Sequence, residues 1–218
     1  MAENNSSLAL FPLADHFAEP TQQVETGKLG MWLFLATEIL LFGGLFVAYT
    51  IYHVMHPELF KEAHLFLDVR LGAINTVVLL FSSLTVVLAI HAAQQDKRKM
   101  VVVNLLLTIA CAIAFLVIKY FEYSHKFHAG LLPGYYFTNA EISSPDEAHI
   151  FFGIYFLMTG LHGIHVIIGV IVLTWLTLRT IKGDFSSQYH MPLELGGLYW
   201  HLVDVIWIFL FPLLYLIA

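Results

Sequence analysis

KLGMWLFLATEILLFGGLFVAYTIY, residues 28–52, carries one acidic side chain, Glu38, inside a run otherwise as apolar as lipid. At 1.5 Å per residue, about 20 apolar residues cross a hydrocarbon core of roughly 30 Å. Five segments reach that length or come within a turn of it, at about 29–53, 71–93, 101–124, 146–178 and 195–217. The whole chain of 218 residues is 59% hydrophobic, only 12% charged, and has a mean hydropathy of +0.76. That leaves too little polar surface for a water-soluble shell. The pattern predicts an all-α integral membrane bundle of five transmembrane helices.

Two regions follow. Residues 1–27 read as a lead-in, with Glu3, Asp15, Glu19 and Glu25 but no Lys or Arg. No apolar stretch precedes Lys28, so a cleaved leader is not expected. Residues 28–218 form the membrane domain, with connectors too short for a second one. Ser144-Pro145-Asp146-Glu147 has the form of a helix start, which places the fourth span from near Pro145. Pro212 is expected to bend or loosen the end of the last span. Lys28, Lys97, Arg98, Lys99, Arg179 and Lys182 fall on one side of the membrane, against Lys61, Arg70, Lys119 and Lys126 on the other. The excess points to a cytoplasmic N-terminus and an outward C-terminus.

Ionisable groups at membrane depth are costly, so each is a candidate for function. Glu38 lies about 15 Å past Lys28, near the midplane, with Phe34, Phe42, Leu45 and Tyr49 on its face. No cation is among them, so Glu38 is expected to hold a proton or share one with a neighbouring oxygen. A purely packing role fits the same residues. His162 and His165 share an arc of the fourth span with Thr159, Gly163 and Gly169. Small residues beside polar ones let helices approach and hydrogen-bond, so this arc reads as an inter-helix seam. A proton relay or a metal site would use the same imidazoles, though a metal needs two further ligands at that depth.

In the last span Trp200, Asp204, Trp207 and Phe211 form one stripe with His201 beside it. Asp204 requires a partner on another helix, and His162 or His165 is the expected one; an interfacial aromatic belt is the alternative. Lys119, Glu122 and Lys126, spaced by three and four, read as surface ion pairs. The second span carries Asn75, Thr76, Ser82, Ser83, Thr85 and His91, a polar load that suggests burial against other helices. Cys111, the sole cysteine, sits in apolar surroundings and is expected to pack. No nucleotide loop, catalytic nucleophile setting, haem-attachment motif or basic nucleic-acid face is present. No catalytic or metal-binding residue is therefore assigned.

Taken in order, KLGMWLFLATEILLFGGLF, LGAINTVVLLFSS, the FEY at Phe121–Tyr123, GLHGIHVIIG and YWHLVDVIWIFLF resemble subunit III of the haem-copper oxygen reductases, most closely the cytochrome c oxidase branch in a short, five-helix bacterial form. The resemblance covers nearly all of the chain from Lys28 onward. It implies an accessory subunit without haem or copper, both of which lie in partner subunits. It further implies direct packing against subunit I, with subunit II and other respiratory subunits nearby, in a bacterial cytoplasmic membrane.

Glu38 falls where the family keeps a membrane carboxylate close to bound phospholipid. His162, His165, Trp200, His201 and Asp204 fall on family signatures. The implied roles are support of proton uptake and protection of subunit I during oxygen reduction. The family's long form has seven helices and this sequence presents five, which puts its lipid cleft in question. A quinol oxidase or nitric oxide reductase-associated homologue is the near alternative. A di-haem cytochrome b anchor is remoter, because it needs two facing histidine pairs and only His149 and His162 have a suitable spacing. A transporter would call for broken helices or repeats, which the sequence does not display.

Overall fold

The computed structural model describes residues 15, 17–138 and 145–217. It consists of α1 (Pro20–Met55), α2 (Pro57–His64), α3 (Val69–Gln94), α4 (Arg98–His128), α5 (Pro145–Lys182) and α6 (Met191–Tyr215), with a 3₁₀ turn at Gly134–Tyr136. Five of these helices are long and apolar enough to cross a membrane. The chain is an all-helical membrane protein.

Local chemistry sets the breaks. Pro20 opens α1, so the helix begins inside the stretch read as a lead-in. Pro57 holds His56 out of helical geometry and starts α2. That short helix lies in what the sequence reading left as a connector. It buries Leu59, Phe60 and Ala63, and Phe60 meets Phe151 of α5 edge to face at 5.0 Å. Asp68 caps α3, accepting from the backbone N–H of Arg70 and Leu71. The α3–α4 turn passes through Asp96 at φ 55°, a conformation that Asp tolerates better than most residues. Its carboxylate accepts the Ser187 N–H at 2.7 Å, tying this turn to the α5–α6 loop. Those hydrogen bonds hold the Asp96 carboxyl below its ordinary range. α6 runs through Pro212 to Tyr215, and the Tyr215 carbonyl is met by His64 of α2 at 2.5 Å. The expected cap, Ser144, lies outside the described residues, although α5 does begin at Pro145.

The packing is inverted relative to a soluble bundle. Leu33, Leu40, Val77, Phe81, Ile171 and Phe209 point outward, while Asn75, Thr108, His162 and Asp204 are buried. In lipid the outer face gains nothing by being polar, so polar groups collect where helices meet. α6 is the axis, packed against α1, α3 and α5, and α3 and α4 form an antiparallel hairpin. α1 lies at the edge and leaves most of its apolar side chains exposed.

Candidate functional site

Among the described residues, the sequence-predicted polar groups gather mainly in three clusters. The first joins α1 to α5. Glu38 Oε2 lies 2.9 Å from His165 Nε2, and His165 Nδ1 lies 2.8 Å from the Leu161 carbonyl. Only an N–H can satisfy a carbonyl, so a neutral ring spends its proton on Leu161. The bond to Glu38 then needs another proton, borne by Glu38 as an acid or by the ring as imidazolium. Phe42 meets the imidazole edge to face at 5.4 Å, and the Tyr199 hydroxyl donates to the His165 carbonyl. Glu38 thus has an imidazole partner that its own helix could not reveal. His165 serves Glu38, not Asp204 as expected.

The second cluster zips α6 to α3. Trp200 Nε1 donates to Ser82 at 3.0 Å, His201 Nδ1 shares a proton with Ser83 at 2.7 Å, and Trp207 Nε1 donates to Thr76 at 3.0 Å. Trp200 and His201 meet Ser82 and Ser83 whereas Trp207, two turns later on α6, meets the earlier Thr76, so the two helices are antiparallel. Trp200 and Trp207 are fully buried, which replaces the interfacial-belt reading with a seam. The Trp200 ring fills the space over Gly169, where an added Cβ would come within 2.6 Å of it.

Asp204 is buried, yet neither carboxyl oxygen makes a hydrogen bond. His162 is likewise unbonded, held between Phe115 and Trp207 with ring centroids 5.5 and 5.3 Å away. The expected bridge from Asp204 to His162 or His165 does not form. Asn75 is buried with its amide unbonded, whereas His91 is exposed and bonds Gln95, so the second span buries only part of its polar load.

The third cluster overturns the surface reading of Lys119, Glu122 and Lys126. All three are buried, at 7%, 3% and 2% exposure. Glu122 accepts from Lys119 at 2.9 Å and Lys126 at 2.8 Å, and from the Tyr155 and Tyr215 hydroxyls at 2.9 and 2.6 Å. Lys119 also donates to Tyr215 and stands 4.9 Å from the Trp207 ring. The same spacing that makes exposed pairs on a soluble helix turns inward here, because the outer side of α4 faces hydrocarbon. Tyr155 and Tyr215 were not singled out from sequence, and nothing in their local context distinguishes them from packing aromatics. Among the described residues no three His, Cys, Asp or Glu side chains converge as a metal site would require.

The sequence profile of cytochrome c oxidase subunit III matches residues 14–218. The chain belongs to that family. This subunit III family member is 33% identical to cytochrome c oxidase subunit 3 of Loxodonta africana over 199 residues, 88% of this chain and 69% of that protein. It is 32% identical to quinol oxidase subunit 3 of Bacillus subtilis over 205 residues, 90% of this chain and 91% of the other. It also matches the heme-copper oxidase subunit I+III of Aeropyrum pernix at 30% identity, covering 93% of this chain but spanning only 24% of that fused protein. These relatives are named as subunits of haem-copper, cytochrome c and quinol oxidases.

Proposed function

We propose that this chain is the accessory subunit III of a respiratory haem-copper oxidase, a cytochrome c oxidase in the first reading, packed directly against subunit I. It holds no redox centre of its own; haem and copper belong to partner subunits, and subunit II completes the core. Phospholipid covers its apolar flanks, and the Glu38–His165 pair, next to that lipid, lends the complex stability and support for proton uptake while oxygen is reduced.

The observation that carries this reading is how the polar groups are spent. His165, His201, Trp200 and Glu122 each bond to a neighbouring helix, Glu122 through the Tyr155 and Tyr215 hydroxyls, as a scaffold requires and a redox centre does not. The basic residues support the orientation. With Lys119 and Lys126 engaged inside the bundle, only Lys61 and Arg70 remain on the side opposite the N-terminus, which strengthens the bias toward a cytoplasmic N-terminus in a bacterial inner membrane. The quinol oxidase assignment is the second reading, favoured by the near-equal length of the Bacillus subtilis relative.

Purification of the chain with its natural partners, mass identification of each subunit, and oxygen-uptake assays with reduced cytochrome c and with quinol test the proposal. Co-purification with a haem- and copper-bearing subunit, and a shorter working lifetime once this chain is removed, are expected. Haem bound to the isolated chain, seen in its visible spectrum, would overturn it.

A further inference from the structure

Two cavities on one flank of the bundle share a wall. One, of about 430 Å³, opens where α1 begins and the α5–α6 loop lies, among Glu25, Lys28, His190 and Glu194. The other, of about 380 Å³, continues from Lys28 and Glu194 past Trp32 and Leu198 to His201. A polar mouth therefore leads down an increasingly apolar groove to one imidazole.

Behind that imidazole, Ser83 lies 2.7 Å from His201 Nδ1. One turn further along α6, Asp204 is 2% exposed. The Ser83 hydroxyl is the polar group that reaches its carboxyl, though not in the geometry of a formed hydrogen bond. His201 and Asp204 are thus spaced i, i+3 about a single α3 hydroxyl.

We propose that Asp204 is a buried proton-binding site, filled from the groove through His201 and the Ser83 hydroxyl. Among the described residues, its surroundings offer no competing charge. α3 presents Ser83 and α4 presents Cys111. On α5, His162 is wedged between Phe115 and Trp207, and His165 is engaged with Glu38 of α1. The α4 cations are bound to Glu122. An unpaired carboxylate in such a place is costly, and the acid form avoids that cost.

The transfer balances without electrons. A proton joins the groove-side nitrogen of His201, the Nδ1–H passes to Ser83 Oγ, and the hydroxyl hydrogen of Ser83 moves to an Asp204 oxygen. Serine suits the middle position because one hydroxyl both donates and accepts. This inference does not depend on which electron donor the complex uses.

Infrared spectroscopy of the purified complex, exchanged from H₂O into D₂O, tests it. The expected result is a carboxylic-acid carbonyl band that Asp204→Asn removes and Asp204→Glu displaces; the latter serves if the former fails to assemble. Ser83→Ala and His201→Phe should keep the band but slow its deuterium shift by about a hundredfold or more, the scale at which a positioned proton carrier acts. Ser83→Thr should restore the rate. If neither Asp204 variant alters any such band, the site is overturned. If both route variants exchange as fast as the parent, the path is overturned.

Discussion

Two of the carboxylates at membrane depth in this chain, Glu122 and Glu38, are housed very differently. Glu122 accepts from two lysines and two tyrosines, all within 2.9 Å, and is walled in by α4, α5 and α6. Glu38, on the peripheral α1, has one imidazole partner from α5 and keeps 14% of its side chain exposed. The first is a closed electrostatic knot whose members cannot be removed singly; the second is a single clasp that leaves room for exchange with lipid or a partner. Depth alone therefore does not assign a role to a membrane carboxylate. The number of donors committed to it does.

The sharpest way to break the comparison is Glu122→Ala. It strands two buried ammonium groups, and removing one partner of a buried pair costs about 3–5 kcal/mol. We expect loss of folded chain from membranes, measured by accumulation and thermal unfolding. Replacing Glu122, Lys119 and Lys126 together with Leu, Met and Met should recover much of that loss, since a buried ionic group is often exchangeable for apolar packing.

Next in size is Gly169→Leu. Its side chain must displace the Trp200 ring, and overpacking of this kind costs about 1–3 kcal/mol. Gly43→Leu on α1, where an added Cβ meets nothing within 4 Å, should leave the unfolding midpoint unchanged. Equal effects at the two positions would show that α1 is as tightly held as α5.

Glu38→Gln keeps one hydrogen bond to His165 and should cost no more than about 1 kcal/mol, with subunit assembly intact on a native gel. A collapse as deep as that of Glu122→Ala would erase the distinction between knot and clasp.

The smallest effect is expected at Asp96, outside the membrane. Ser187 depresses its carboxyl, so its contribution is complete above the unfolded-state value and is lost as the pH falls through the lower folded-state value. Below about pH 4, acidification should lower the melting temperature of the parent slightly more than that of Asp96→Asn.

The five spans were legible because hydrocarbon imposes a length and a composition that few other environments demand. The stripe of Trp200, Asp204 and Trp207 was legible for a related reason: helical periodicity states which residues share a face. Periodicity does not state what lies opposite. The sequence pattern points Asp204 to a histidine, whereas the α6 stripe faces the serines and threonine of α3, and His165 bonds Glu38 of α1.

The lysines flanking Glu122 misled differently. Their spacing is the same in a water-facing pair and in a buried triad, and only the hydrocarbon outside α4 decides between them. Tyr155 and Tyr215 supply hydroxyls from chain positions 33 and 93 residues away from Glu122, a pairing that no local pattern encodes. α2 is hard to read from sequence because its apolar face is only Leu59, Phe60 and Ala63 on eight residues.

The three rungs between α3 and α6 also act as a ruler. A slide of one residue along that interface would pull two indole N–H groups and an imidazole out of line with their present hydroxyl partners simultaneously. The vertical setting of the last helix is thus all-or-none, and whatever leans on α6 inherits a fixed elevation above the aqueous boundary.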